Sequence, residues 1–259
     1  MTSDHDYIKQ HRAVWRRKPI LRRIYREQYY SRLLAQCPPD GSTLEIGSGP
    51  GFLAGIAPQV WRTDVLPSPY IHCVADVHRL PFAPDQFDTV IGLDVLHHFN
   101  RPINALREVA RVLKPGGRLA LVEPWITTFS RFVYTYLHQE GCDLTLTPWC
   151  DTNQFTDDKL AFDGNAAIPY LLLTRGAGHL SQALPELRLV RLEQFSLVTY
   201  LLSLGFKPAN LLPPPLYPIL YRAEEATRPA WSRWAALRAL IVWEKSADLA
   251  PQLRPLVQS

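Results

Sequence analysis

The sequence predicts an α/β fold built around a mostly parallel β-sheet. Short apolar segments typical of strands alternate with segments of helical spacing between residues 43 and 124. The first of these strands, Thr43-Leu-Glu-Ile46, runs directly into a glycine-rich turn at 47–51. Such alternation favours parallel pairing, because parallel neighbours must be joined by a crossover connection, which is usually a helix.

A helical arm is predicted ahead of the sheet. Residues from about Tyr7 to Ala35 carry apolar side chains at helical spacing, and Pro19 predicts a break between two helices. Basic residues crowd this arm at Lys9, Arg12, Arg16, Arg17, Lys18, Arg22, Arg23 and Arg26. The charge run indicates either a solvated helix that covers the sheet edge or a contact with an anionic surface or group, and both interpretations stay open.

The other elements follow from hydrophobic periodicity and turn signals. A helix is predicted from Pro102 to Leu113, followed by a turn at Lys114-Pro-Gly-Gly117. Strands are predicted at Val60–Asp64, His72–Ala75, Thr89–Leu93, Arg118–Glu123, 187–195 and 235–245.

The chain is expected to form a single domain over residues 1–259. Within it we expect a helical arm at 1–36 and a parallel α/β core with a ligand-binding edge at 42–124. Residues 125–186 and 205–234 are rich in aromatic residues and turn signals, so we expect them to cover the ligand-binding edge of the sheet.

Composition indicates a globular, cytoplasmic protein. Hydrophobic residues make up 47% and charged residues 20% of the chain, which excludes disordered and fibrous classes. The N-terminal residues lack the apolar core of a secretory signal. Four widely spaced cysteines without a CxxC pair argue against a disulfide framework and a zinc site, so we expect no metal.

The glycine-rich turn is a candidate ligand site. Gly47, Gly49 and Gly51 form a GxGxG pattern, and Phe52 stands where the dinucleotide fingerprint has a further glycine. A strand, a glycine turn and a helix place backbone N–H groups at the carboxyl edge of the sheet. Asp64 and Asp76 end the next two predicted strands, where a carboxylate can bind ribose hydroxyls or an amino group, although each alone is as easily a helix cap.

Taken in order, these motifs resemble class I S-adenosylmethionine-dependent methyltransferases of the small-molecule, type 11-like branch. The resemblance is carried by LEIGSGPG at 44–51, Asp64, ADVHRLPF at 75–82, FDTVIGLDVLHHF at 87–99 and ALREVARVLKPGGRLALVEP at 105–124. It implies a Rossmann-like, seven-stranded, mostly parallel sheet with helices on both faces, and S-adenosyl-L-methionine as the cofactor.

The resemblance also implies a set of cofactor-binding residues. The methionine end of the cofactor would lie in the glycine loop, the ribose and adenine beside the two acids, and the sulfonium after the fourth strand. Glu45, Gly47, Ser48 and Gly49 would hold the methionine end. Asp64 would bind the ribose, and Asp76 with Val77 the adenine. Leu93 with Asp94 would lie beside the sulfonium.

Histidines are the candidate general bases. A methyl group on a sulfonium is already activated, so positioning of the acceptor can suffice for transfer. If a hydroxyl or an acidic carbon is methylated, His98 after the fourth strand or His138 on a later helix could accept the proton. The alternatives are a hydrogen-bonding role for His97 and His98, and a helix whose Phe132, Tyr136 and Leu137 pack in the core.

The predicted function is in-line methyl transfer to a small or lipid-like, amphiphilic acceptor. The alternatives are a nucleic-acid base methyltransferase and a cofactor-binding protein without methyl transfer. Gly92-Leu-Asp-Val-Leu96 lacks the Asn/Asp-Pro-Pro-aromatic arrangement associated with methylation of base amino groups, so nucleic acid is not the expected partner. The oligomeric state is not determined by these motifs.

Overall fold

The computed structural model describes residues 4–137, 141–150, 152–155 and 160–247, and its centre is one seven-stranded sheet. The strands are β1 Thr43–Glu45, β2 Trp61–Asp64, β3 Cys73–Val74, β4 Phe87–Leu93, β5 Leu113–Pro124, β6 Leu187–Phe195 and β7 Arg238–Lys245. Their order across the sheet is β3-β2-β1-β4-β5-β7-β6. Strands β1 to β5 pair in parallel, whereas β7 is antiparallel to both β5 and β6. The expected mostly parallel, seven-stranded sheet is confirmed.

Helices lie before, between and after the strands. They are α1 Asp4–Arg17, α2 Pro19–Ile24, a π-helix Tyr25–Tyr30, α3 Ser31–Leu34, α4 Pro102–Val112, α5 Thr128–Tyr136, α6 Ile168–Leu173, α7 Ala177–Ala183, α8 Val198–Ser203 and α9 Tyr217–Ala235. The break predicted at Pro19 is present, since Lys18 leaves helical geometry and Pro19 begins α2. Within the described ranges, no helix combines the length and the apolar character needed to cross a membrane.

Side-chain alternation along the central strands gives the sheet a core on each face. Val90 of β4 packs in the cluster that includes α4 and α6, whereas its neighbour Ile91 packs in the opposite cluster. This follows from strand geometry, in which successive side chains point to opposite faces. The second cluster holds Leu21, Ile24 and Leu33 of the arm, all fully buried, so the arm forms one face of the core.

The orientation of α5 differs from the prediction. Phe132, Tyr136 and Leu137 are exposed, whereas Val133 and Tyr134 are buried, so the expected apolar face was wrong. A capping box between Thr127 and Ser130 fixes the start of the helix. That start turns Tyr134 inward, where its hydroxyl donates to the Leu237 carbonyl oxygen at 2.5 Å.

Candidate active site

A cavity of about 650 Å³ opens at the carboxyl edge of the parallel strands. This is the edge at which open α/β sheets bind ligands, and the volume suits a small-molecule site. All nine residues expected to bind the cofactor line it: Glu45, Gly47, Ser48, Gly49, Asp64, Asp76, Val77, Leu93 and Asp94.

The loop glycines adopt left-handed backbone conformations, but their surroundings differ. Gly47 has φ +63°, and a Cβ added there would lie 2.1 Å from Val95 Cγ2. Gly49 has φ +48°, and an added Cβ would meet nothing within 4 Å. Gly47 is therefore required by packing against Val95, whereas Gly49 borders open space in the cavity.

Asp64 fastens the glycine loop to the end of β2. Its buried carboxylate accepts hydrogen bonds from the Gly49 N–H at 2.6 Å and from the Leu66 N–H at 2.8 Å. Burial raises the pKa of Asp64, and the backbone donors oppose that shift. The Val65 N–H acts on the same carboxylate, so of its roughly four lone-pair sites about one stays for a ligand in the cavity.

Glu45 and Ser48 bring buried polar atoms to the wall of the cavity. Glu45 lies at the end of β1 with 2% of its surface exposed, and its Oε2 and Ser48 Oγ make no well-formed hydrogen bond among the described residues, although the hydroxyls of Ser48 and Tyr30 lie close enough to the carboxylate to oppose the rise of its pKa. Burial raises the pKa of Glu45 to about 7. Buried polar atoms are nearly always hydrogen-bonded, so this part of the cavity suits a ligand that carries donors.

Asp76 lies at the outer side of the cavity. Its Oδ1 accepts from the His78 N–H at 2.9 Å and lies 2.7 Å from His78 Nδ1, and its side chain is 61% exposed. Asp76 and Val77 both line the cavity, but the carboxylate of Asp76 also stabilises the local turn.

Asp94 pairs with an arginine from a distant part of the chain. It follows β4 with φ +55°, and its carboxylate accepts from Nη1 of Arg238, the first residue of β7. Arg238 is buried and lines the cavity. Sequence reasoning missed it, although a lone arginine beginning the apolar run Ala-Leu-Ile-Val-Trp was a signal of a paired, buried cation.

The two histidines after β4 have different environments. His97 is buried, and its Nδ1 lies 2.6 Å from Oε2 of Glu123 at the end of β5. His98 is half-buried, with Nδ1 3.1 Å from the Asp163 carbonyl oxygen. Both line the cavity, whereas His138 lies outside the described residues.

Ligand atoms of Asp94, His97 and Glu123 lie within 4.8 Å of one another, a spacing that could hold a metal ion. These groups already have protein partners. Arg238 binds Asp94, and Glu123 Oε1 accepts from two backbone N–H groups, those of Val95 and Leu96. The cluster is therefore satisfied by the protein itself.

The cover of the cavity comes largely from the arm. Tyr7 of α1 stacks on Phe162 with ring centroids 4.0 Å apart, and His11 stacks on Phe206 at 4.1 Å. Of the two segments expected to form the cover, residues 160–162 and Phe206 line the cavity, while the Pro-rich part of the second segment, with Leu211 exposed, does not. The sequence did not predict that the arm closes the cavity. A basic amphipathic helix does not indicate which surface its apolar side will face.

Comparison with known proteins agrees with this geometry. Residues 44–121 match the family model described as a methyltransferase domain. They run from β1 to β5, which is the parallel part of the sheet. The matched residues contain the glycine loop, Asp64, Asp76 and the two histidines, whereas the arm, Phe206 and Arg238 lie outside them.

Two curated relatives match parts of the chain. A probable tRNA methyltransferase 9B of Homo sapiens is 47% identical over 51 residues, covering 18% of this chain and 11% of the relative. A ubiquinone/menaquinone biosynthesis C-methyltransferase of Burkholderia mallei is 32% identical over 112 residues, covering 34% and 45%. The chain thus spans less than half the length of either relative.

One solved structure similar to this chain is a SAM dependent methyltransferase from Archaeoglobus fulgidus. It is 14% identical, with a TM-score of 0.49 over 88% of this chain and 94% of that one.

Proposed function

We propose that the protein is an S-adenosylmethionine-dependent methyltransferase that acts on a small or lipid-like, amphiphilic acceptor. The observation that carries the proposal is the pair of buried oxygens, Glu45 Oε2 and Ser48 Oγ, which make no well-formed hydrogen bond and belong to residues of the cavity wall beside the glycine loop, within the segment that matches a methyltransferase-domain model. A carboxylate and a hydroxyl in this position can accept hydrogen bonds from the ammonium group at the methionine end of the cofactor.

The other residues fit the remainder of the cofactor. The open side of Gly49 leaves room for the ligand to approach the backbone. Asp64 keeps a lone-pair site for a hydroxyl of a ribose beside its backbone donors. Asp76 and Val77 lie where an adenine ring would reach the outer side of the cavity, and Leu93 and Asp94 lie beside the expected position of the sulfonium.

When bound, S-adenosyl-L-methionine supplies a methyl group that is already activated on its sulfonium. The protein then has to hold the acceptor in line with that methyl group and exclude water. Tyr7 and His11 of α1 close the cavity against Phe162 and Phe206, and this closure helps to exclude water. If the acceptor must lose a proton, His98 is our candidate base, since it lines the cavity and is half-buried.

The decisive test separates binding from transfer. Titration calorimetry with S-adenosylmethionine should show one binding site, and absence of binding would contradict the proposal. Incubating the protein with methyl-labelled cofactor and a cell extract, divided into metabolite, lipid and RNA fractions, should place label in the metabolite or lipid fraction. Label in RNA would instead support the nucleic-acid alternative, and binding without any labelled product would support a cofactor-binding protein.

A role for His98 has its own readout. His98→Gln should lower turnover on the labelled acceptor while the affinity for the cofactor stays nearly unchanged. If His98→Gln keeps most of the wild-type rate, positioning alone accounts for transfer.

A further inference from the structure

Arg238 is the one guanidinium among the described residues that line the cavity. It is 4% exposed, and its charged group lies against the rings of Tyr29 and Tyr200, with distances to the centroids of 5.1 and 5.2 Å. Asp94 accepts from Nη1, while Nε has no hydrogen-bond partner among the described residues.

This arrangement leaves one donor of a buried cation, the Nε–H of Arg238, without an acceptor among the described residues. A guanidinium has five N–H donors, and an arginine stays protonated even when buried. Leaving such donors unpaired in a desolvated site costs more than an ordinary lost hydrogen bond, because the group is charged. Asp94 is its ion-pair partner among the described residues, and because Arg238 also lines the cavity, a ligand there can lie against the guanidinium.

The surroundings of Arg238 indicate the kind of ligand. Tyr25, Tyr200 and Phe206 line the same cavity and give part of its wall an aromatic character, which suits a ligand that contains a ring. The remaining charged side chains on the cavity wall are acids, Asp4, Glu45, Asp64, Asp76 and Asp94. An anionic group therefore has one favourable position, which is beside Arg238.

Building on the methyltransferase activity proposed above, we propose that Arg238 binds a carboxylate of a ligand seated in the aromatic part of the cavity. The planar guanidinium forms directional, charge-assisted contacts with carboxylates, as it does with phosphates. Two sources can supply this group: the acceptor, which would then be a planar or aromatic carboxylate, or the methionine end of the cofactor. Asp94 holds the guanidinium in place for either ligand.

The test uses small probes. In protein saturated with S-adenosylhomocysteine, calorimetry would compare benzoate, 4-hydroxybenzoate and 2-naphthoate with their methyl esters. We expect at least one acid to bind at least about tenfold more tightly than its ester, and Arg238→Met to abolish the difference. If instead Arg238→Met weakens S-adenosylmethionine about tenfold but not its decarboxylated analogue, the carboxylate belongs to the cofactor.

Two further variants keep the result interpretable. Arg32→Met is a matched control, because Arg32 also pairs with carboxylates and stacks on a ring, that of Phe195, but does not line the cavity. If Arg238→Met does not fold, as judged by circular dichroism, the double variant Asp94→Asn/Arg238→Met removes both charges together and should show the same loss of discrimination.

The outcomes that would contradict the role of Arg238 differ from those that would contradict the proposed function. If no acid binds more tightly than its ester and Arg238→Met leaves S-adenosylmethionine affinity unchanged, the assignment of Arg238 is wrong. Failure of wild-type protein to bind S-adenosylmethionine would instead contradict the methyltransferase proposal.

Discussion

At the scale of single residues, Gly47 and Gly49 should respond differently to the same substitution. Both have positive φ, but only Gly47 would bring a Cβ against Val95. We expect Gly47→Ala to lower the free energy of unfolding by about 1–3 kcal/mol through overpacking. Gly49→Ala should stay folded and weaken S-adenosylmethionine binding at least about tenfold, because its Cβ enters ligand space.

A third glycine provides the control for backbone strain. Gly116 has φ +77° with nothing within 4 Å of an added Cβ, and it does not line the cavity. Gly116→Ala should therefore lose about as much stability as Gly49→Ala, roughly 1 kcal/mol, and keep full cofactor affinity. Equal affinities of all three variants for S-adenosylmethionine, measured by calorimetry, would contradict the assignment of the glycine loop to the cofactor site.

Glu45 should make stability depend on pH. Burial raises its pKa to about 7, so the folded protein binds this proton more tightly than the unfolded chain does. The contribution of Glu45 then favours folding at pH below its ordinary pKa and is lost as the pH rises through 7. Urea unfolding should show Glu45→Gln more stable than wild type at pH 8, on the order of 3 kcal/mol, and similar to it near pH 4.

The same substitution should impair the cofactor site. A neutral amide cannot replace the carboxylate that would accept from an ammonium group, so Glu45→Gln should bind S-adenosylmethionine more weakly at pH 8. Higher stability together with weaker binding would identify a residue kept for function. A variant that is less stable at pH 8 would show that the side chain is satisfied within the fold.

At the scale of elements, the arm is attached through Lys18, between α1 and α2. Its buried ammonium donates to the carbonyl oxygens of Gly205, Lys207 and Ala209 at 2.7, 2.9 and 2.8 Å. These bonds fix the loop that carries Phe206 into the cavity. One basic residue of the arm is thus used inside the protein, and contact of the others with an anionic surface stays a prediction.

Removing this attachment should be costly. Lys18→Met loses three hydrogen bonds from a charged donor and leaves three carbonyl oxygens without it, so we expect a loss on the order of 2–4 kcal/mol in unfolding free energy. Lys9→Met, on the exposed side of α1, should be neutral. If denaturant unfolding gives the two variants equal stability, the arm is not held by Lys18.

At the scale of the whole molecule, the arm and the sheet should unfold together. Leu21 and Ile24 belong to the same buried cluster as Ile91 of β4 and Val242 of β7. Circular dichroism and tryptophan fluorescence should therefore report one transition with the same midpoint. A chain lacking residues 1–36 should fail to fold, and a separate early transition of the arm would contradict the single-domain assignment.

Much of the fold could be predicted because its signals are local. The glycine turn, the strands at 43–46 and 89–93, and the helix from Pro102 are each visible within a few residues. The face of α5 could not be predicted, because aromatic side chains at helical spacing fit either face. Its capping box and the contact of Tyr134 with Leu237 decide the face, and that contact joins segments 103 residues apart.

The sequence by itself determined the succession of the strands along the chain, the helix after β4, the glycine loop and the acids that follow successive strands, since each depends on short-range periodicity and on backbone requirements of single residues. Only the tertiary structure decided what closes the cavity. Crossovers bring the ends of β4 and β5 to one edge, and antiparallel pairing of β7 with β5 delivers Arg238 to Asp94 across 144 residues. A buried charge needs an oppositely charged partner close to it in space. The separation of two residues along the chain does not show how close they lie in the fold.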